Sequence, residues 1–336
     1  MAEQIKVSVV ITTYNRGYIL GDALASVLKQ DYANLEILVV DDGSSDNTQE
    51  VVEEFKSDKI RYIRHDRNRG CSAAYNTGIS AATGNLIAIL DSDDVWKPEY
   101  LEKQVGLLVR HPDVDLVFCD IAIQDGSTLI PSTSALMKSF SRLLQTSPKA
   151  SEYIFSSRQM YVCLLEEVPI KPSAVVVRRE TFEKTGFFDE APSSVVEGTP
   201  LVPFTDWELF LRFSHFARFG YIDSALAIQR RTPEAVHKKF AVQDKLFMLD
   251  LSLKEKANLK NDREALMAVN RGISSHCNNL GWDYLHSGQR KKSLEAYLKG
   301  FRETGELAML MKAASAMLPL GVRDRLTGSA RHLRRN

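Results

Sequence analysis

The feature that most constrains this chain is an alternation, over its first hundred or so residues, of short β-branched apolar runs with segments of helical period. Lys6 to Thr12, Leu35 to Val40, Lys59 to Arg64 and Asn85 to Leu90 read as strands, and Val114 to Cys119 reads as another. Between the first two, Tyr18 to Lys29 sets Ile19, Ala23, Val27 and Leu28 on one helical face. Strands separated by helices are joined by crossovers rather than hairpins, which predicts an α/β fold with a mostly parallel sheet flanked by helices. Ligands of such sheets bind beyond the carboxyl ends of the strands, so the informative residues are those that follow each run.

A chain of 336 residues is long for a single core, and a second unit is expected. Strand signals stop near Pro233, which divides the chain into an α/β unit, 1–232, and a helical carboxyl-terminal region, 233–336. Within the latter, Gly281 through Tyr297 has the pattern of one tetratricopeptide-like helical hairpin. The stretch from Glu306 combines Leu307, Leu310, Met311, Met317 and Leu320 with a basic end containing Arg323, Arg325, Arg331, Arg334 and Arg335. That suits either a packed helix with a solvated tail or peripheral contact with an anionic membrane, and the region is also a candidate for homo-oligomer contacts. In the first unit, the pattern weakens from Gln124 to about Pro169, with an amphipathic segment near Tyr153 to Leu165. A strand at Ser173 to Val177 and a short helix ending near Gly186 follow, then an irregular stretch from Glu190 to Phe204.

Lysine plus arginine equals aspartate plus glutamate at 43 each, so no global charge advertises nucleic acid. The four cysteines lie far apart without metal-site spacing, and the amino end lacks a secretory pattern, which together predict a reducing cytoplasm. No apolar run approaches the roughly 18 residues of a membrane-spanning helix.

Leu90-Asp91-Ser92-Asp93-Asp94 stands immediately after an apolar strand. If the backbone stays extended, Asp91 and Asp93 face the same side and can converge on a hard cation such as Mg²⁺ or Mn²⁺, completed by water and phosphate oxygens. The alternative is a turn that caps the helix after Pro98. A second pair, Asp41-Asp42, ends the Leu35 to Val40 run, where a carboxylate can accept hydrogen bonds from a base or ribose while Ser45 or Asp46 caps the next helix. The first strand ends at Thr12-Thr13-Tyr14-Asn15-Arg16-Gly17, and Tyr14 could stack on a planar base. Neither GxGxxG after the first strand nor GxxxxGK[ST] occurs, which disfavours dinucleotide oxidoreductases and P-loop phosphotransferases.

Taken in order and spacing, VSVVITTYNR (Val7 to Arg16), LVVDDGSSDNT (Leu38 to Thr48), NRGCSAAYNTG (Asn68 to Gly78) and LDSDD (Leu90 to Asp94) resemble glycosyltransferase family two, inverting enzymes of the GT-A fold. The resemblance is close over about the first 120 residues and looser to about Arg231. It implies that Thr12, Tyr14 and Asp42 contact the nucleotide, with Asn68 and Gly70 shaping that pocket, and that Asp91 and Asp93 hold a divalent metal, Asp93 the more directly. It further matches Asp206, in Thr205-Asp206-Trp207-Glu208, to the catalytic base, with Thr205 in place of the customary glutamate. Arg231 matches a diphosphate contact, and Thr232 stands where a histidine is common, with His237 a distant substitute. The implied reaction moves a sugar from a nucleotide diphosphate donor to a hydroxyl of a saccharide or lipid-linked acceptor. Two rival readings are a sugar nucleotidyltransferase, which should carry a glycine-rich basic loop that Thr12 to Gly17 matches poorly, and a non-catalytic sugar- or partner-binding protein of the same fold.

Overall fold

The structure is a computed structural model that describes residues 5–191, 194–196, 199–201, 205–231 and 241–318. Thr232, His237, the expected division between 232 and 233 and the basic end from Arg323 lie outside the described residues. The chain forms two compact units, Met1–Ala235 and Val236–Asn336.

The first unit opens with β1 (Val7–Thr13), α1 (Gly17–Leu28), β2 (Leu35–Asp41), α2 (Thr48–Glu54), β3 (Ile60–Arg64), α3 (Cys71–Ala81), β4 (Leu86–Asp91), β5 (Val95–Trp96) and α4 (Tyr100–Arg110). There follow β6 (Leu116–Asp125), β7 (Thr128–Ile130), α5 (Lys138–Gln145), β8 (Glu152–Phe155), α6 (Ser157–Leu164), β9 (Val175–Arg178) and α7 (Arg179–Thr185). A hairpin of β10 (Ser194–Val196) and β11 (Thr199–Leu201), then α8 (Thr205–Phe213) and β12 (Phe219–Arg230), complete it. The main sheet runs in the order β3-β2-β1-β4-β9-β6-β12-β5. β1 pairs parallel with β2 and β4, β2 with β3, and β6 with β12; β9 lies antiparallel between β4 and β6. Every residue of β1 is buried, as expected of a central strand covered on both faces, and this is why its sequence is a continuous β-branched run rather than an alternating one.

Register levels the strand ends. Thr12 lies opposite both Val40 and Asp91, Thr13 opposite Asp41, and Asp41 opposite Arg64, so the polar residues after three separate runs share one edge of the sheet. The pairing of β5 with Ala227 and Ile228 brings the turn after β4 against the far end of β12.

Three expectations are corrected. The Tyr153 to Leu165 segment divides into the edge strand β8, paired antiparallel with Phe219 to Ile222, and α6, because Ser156 and Gln159 form a capping box that starts a helix after Phe155. Ser173 falls in a 3₁₀ turn, Pro172–Ala174, so β9 begins only at Val175. The long strand β12 escaped notice because it reads Phe-Gly-Tyr-Ile-Asp-Ser-Ala-Leu-Ala-Ile, with a charge and small residues interrupting the apolar run, and its pairing with β6 is irregular at Asp223 to Leu226.

The second unit contains helices Ala241–Asn258, Arg263–His286, Arg290–Thr304 and Leu307–Met317. The expected hairpin is the turn between Arg263–His286 and Arg290–Thr304, where the Tyr297 ring packs directly over Gly281. Met309, Ala313 and Ala316 of the last described helix join Tyr297 in a small core.

Helix α3 lies close against the sheet at Gly78, where a Cβ would come within 2.3 Å of Val10 Cγ1 and 3.2 Å of Val40 Cγ2. Gly78→Val is expected to destabilise the first unit by about 1–3 kcal/mol, the usual cost of overpacking, measured by denaturant unfolding. An unchanged midpoint would show that the helix can lift from the sheet without penalty.

Candidate active site

The acidic segment after β4 is a turn rather than extended backbone. Asp91 is the last residue of β4, and the Asp94 amide donates to the Asp91 carbonyl at 3.0 Å. The turn, not strand alternation, therefore brings Asp91 and Asp93 together. Asp94 points inward: its carboxylate is buried and accepts the Arg230 amide at 3.1 Å. The Asp91 amide donates to Ser173 Oγ at 3.1 Å, and the Tyr75 hydroxyl donates to Asp91 Oδ1. Dehydration first, and then the neighbouring charge of Asp93, raise the Asp91 carboxyl to about 6. Arg16 forms an ion pair with Asp93 Oδ2. Burial works against the Arg16 charge, but Asp93 and Asp91 more than offset it, and the guanidinium pKa ends above its ordinary value.

Helix α3 connects this turn to the rest of the site. Tyr75 reaches Asp91; its ring stacks on Phe188 with centroids 4.8 Å apart. Asn76 Nδ2 donates to the Phe188 carbonyl at 2.9 Å and to Glu190 Oε1 at 2.7 Å, while its Oδ1 accepts the Phe188 amide at 3.0 Å. The buried Ser72 and Thr205 hydroxyls are hydrogen-bonded at 2.9 Å, which fixes the first residue of α8 against α3. Helix α8 is held at its other side by Trp207 Nε1, which donates to the Leu164 carbonyl at 2.8 Å, and by Arg212, which donates to the Thr185 and Phe187 carbonyls at 2.8 and 2.7 Å. Asp206 thus stands on the first turn of a clamped helix. Burial raises its pKa above the ordinary carboxylate range, while the Lys171 charge and the first amides of α8 pull it back. The charge of Asp206 also acts on Asp91, on Tyr75 and on the exposed Cys71 thiol, which feels Asp42 as well. Asp206 and the acidic turn are therefore tied to the same helix, α3, the one through Thr205 beside it and the other through Tyr75.

On the β1 and β2 side, Asp42 is only 3% exposed. Its oxygens accept the Arg69 amide at 2.9 Å, the Gly70 amide at 2.7 Å and His65 Nδ1 at 2.7 Å, and His65 Nε2 lies 2.9 Å from Thr77 Oγ1. Asn68 Oδ1 accepts the same Gly70 amide at 3.1 Å, and Gly70, at φ 93°, turns the chain into α3 where a side chain would be strained. Asp42, Asn68 and Gly70 are thus one hydrogen-bonded assembly, with much of the Asp42 acceptor capacity committed to the chain itself. Thr12 is buried at the end of β1, whereas Tyr14 is 42% exposed beyond it. Asp46 accepts the Thr48 and Gly17 amides at 3.1 and 2.9 Å, so it satisfies the first amide of α2, whose N-cap residue is Asn47, and ties that loop to the start of α1. Arg231 pairs with Asp125 at 3.1 Å, and it is the adjacent Arg230 whose Nε donates to the Asp93 carbonyl at 2.5 Å. β12 ends at Arg230, and Arg231 follows it.

Two carboxylates with no third partner are a sparse cation site, and among the described residues no group of three or more His, Cys, Asp or Glu side chains is gathered for a metal. The hard oxygen donors of Asp91 and Asp93 fit a cation that completes its shell with water and phosphate, as Mg²⁺ and Mn²⁺ do. Sequence reading missed Arg16, His65, Ser72, Tyr75, Asn76, Lys171, Glu190 and Arg230. Arg16 lies in the polar cluster after the first strand and Arg230 beside Arg231, and the run Ser72-Ala73-Ala74-Tyr75-Asn76-Thr77 is polar on what proves to be a buried helix, whereas no local signal marks His65 or Lys171.

The sheet order and the acidic turn at its carboxyl edge are those of a GT-A type fold. The profile of the family described as Glycosyl transferase family 2 matches residues 8–185, and the chain belongs to that family. It is 34% identical over 140 residues to the Escherichia coli UDP-Glc:alpha-D-GlcNAc-diphosphoundecaprenol beta-1,3-glucosyltransferase WfgD, covering 41% of this chain and 55% of that protein. An uncharacterised glycosyltransferase of Nostoc is 41% identical over 126 residues, 37% of this chain and 38% of its own length. The chain therefore spans about half or less of these curated relatives. Among solved structures, S. aureus TarS 1-349 in complex with UDP-GlcNAc aligns with a TM-score of 0.65 and 20% identity, over 89% of this chain and 82% of that one. The mannosyltransferase PcManGT of Pyrobaculum calidifontis, with GDP-Man and Mn²⁺, aligns at 0.55 and 18% over 98% and 85%. These two show the fold.

His65→Phe removes the donor between Asp42 and Thr77 and leaves a buried carboxylate one partner short. It is expected to cost about 1.5–3 kcal/mol, the range for hydrogen bonds to charged groups, read from thermal or denaturant unfolding. Parent-like stability would mean that the bond contributes nothing.

Proposed function

We propose that the first unit is an inverting glycosyltransferase that moves a sugar from a nucleotide diphosphate donor to an acceptor hydroxyl in glycoconjugate assembly. The observation that carries this reading is the nearness of Asp206 to the acidic turn, both held on α3. An alcohol is too weak an acid to ionise beforehand, so its proton must leave as the new bond forms, and a fixed carboxylate above the ordinary pKa range is a better acceptor at that moment. Asp206 takes this role, and the Lys171 charge opposes the rise that burial causes. Asp93 and Asp91 would hold Mn²⁺ or Mg²⁺, which supplies electrostatic stabilisation to the departing diphosphate. Thr12, Tyr14 and the Asp42, Asn68 and Gly70 assembly border the nucleotide site, with Arg231 at its rim.

A lipid-linked saccharide is the proposed acceptor class, by analogy with the name of WfgD. Among the described residues no helix is long and apolar enough to cross a membrane. The last described helix exposes Leu307, Leu310, Met311 and Met317 on one side, Leu307 and Met311 by about 70%. With the basic residues that follow in sequence, this stripe suits peripheral contact with the inner face of an anionic membrane from the cytoplasm. Leu307→Ser with Met311→Ser is expected to reduce sedimentation with vesicles containing phosphatidylglycerol several-fold; equal partitioning would remove this attachment.

The function itself is tested by incubating the protein with UDP-, GDP- and dTDP-sugars and Mn²⁺, where release of nucleoside diphosphate is expected and release of pyrophosphate would instead indicate sugar activation. Asp206→Asn is expected to keep donor binding and lose at least about 100-fold in turnover, the low end of a general base's contribution. Because the ionised form of Asp206 is the active one, the parent's turnover at saturating metal should fall as pH drops through a pKa raised above the usual aspartate value of about 3.9. Turnover in Asp206→Asn equal to that of the parent would reject the base.

A further inference from the structure

The carboxylate that would take a divalent cation is already engaged by a side chain. Arg16 pairs with Asp93 Oδ2, and both side chains are largely enclosed, at 18% and 15% exposure. The backbone that carries Arg16 is fixed. Asn15 adopts φ 51°, its amide donates to Ser44 Oγ at 2.8 Å and its Oδ1 accepts the Ser45 amide at 2.8 Å. On the other side, the Gly17 amide is held by Asp46, and the Arg16 carbonyl receives the Ile19 and Leu20 amides at 3.0 Å as α1 begins. Only the guanidinium is left to move. The other cation at the turn, Arg230, spends its Nε on the Asp93 carbonyl and pairs through Nη1 with Asp22 at 2.5 Å, leaving the Asp93 carboxylate to Arg16.

We propose that Arg16 is a resident counter-ion of Asp93 that competes with a divalent cation for this carboxylate and is released onto the donor diphosphate when the two arrive together. The inference rests on the reading of Asp91 and Asp93 as the cation site. A cation entering alone must break an enclosed ion pair and leave a guanidinium beside a second positive charge, which opposes binding. A diphosphate removes that opposition, because its oxygens match the guanidinium fork and offer Arg16 a new partner close by. Cation and nucleotide binding are then coupled through one side chain, and the coupling keeps the cation site of the donor-free enzyme shielded.

The test is a Mn²⁺ titration of the full chain without nucleotide, followed by electron paramagnetic resonance of the free ion, for the parent, Arg16→Gln, Arg16→Lys and Asp93→Asn. Arg16→Gln is expected to bind Mn²⁺ at least about fivefold more tightly than the parent, the low end of ordinary coupling between sites. Arg16→Lys, which keeps the charge, should stay nearer the parent, so that a gain common to both variants would indicate general loosening and overturn the proposal. Affinity in Arg16→Gln equal to or below the parent's, with binding still lost in Asp93→Asn, overturns the counter-ion and leaves the cation site standing. No binding of Mn²⁺ by any of the four proteins removes the cation site, and the counter-ion falls with it.

Discussion

Helix α3 is the element on which the rest of the site depends. It is buried on most of its surface, yet Ser72, Tyr75, Asn76 and Thr77 each carry a polar group that must find a partner. Those partners come from four other places: the start of α8, the end of β4, the segment after α7, and His65 beyond β3. Each hydrogen bond satisfies a polar group and at the same time ties one neighbouring element to α3. The close approach at Gly78 sets how deep the helix lies on the sheet, and therefore where the elements tied to it stand.

The same arrangement explains how carboxylates of one sign can be gathered. Burial raises the pKa values of Asp91, Asp94 and Asp206, and at Asp91 and Asp94 the charges of the neighbouring aspartates raise them further. The cost is offset locally by different means: Tyr75 at Asp91, Arg16 at Asp93, the Arg230 amide at Asp94, and Lys171 with the amides of α8 at Asp206. Asp94 is thereby turned inward as structure, which leaves Asp91, Asp93 and Asp206 for the proposed reaction. In the proposed reaction these three divide the work, two on the leaving group and one on the incoming alcohol.

The strand ends were legible in the sequence because periodicity and order are local signals: β1, β2 and β4 could be read from their own residues, and parallel topology then implied that Thr12, Asp42 and Asp91 share an edge. What followed from pairing over long separations was not legible. Tyr75 with Asp91, Ser72 with Thr205 and Asn76 with Glu190 join residues 16, 133 and 114 positions apart. Asp91 and Asp93 were singled out on an extended backbone, whereas a turn closed by the Asp94 amide holds this segment. Arg231 was read from its place in a motif; that the preceding residue, Arg230, reaches the acidic turn while Arg231 pairs with Asp125 depends on long-range pairing that the sequence does not display.

The central claim is that an alcohol attacks from the Asp206 side while the diphosphate leaves toward Asp91 and Asp93. Attack and departure on opposite faces invert the anomeric carbon. The direct measurement is the proton NMR coupling at the anomeric position of the product formed from an α-linked nucleotide sugar. A β-linked product is expected, and a product that keeps the α configuration would contradict the account.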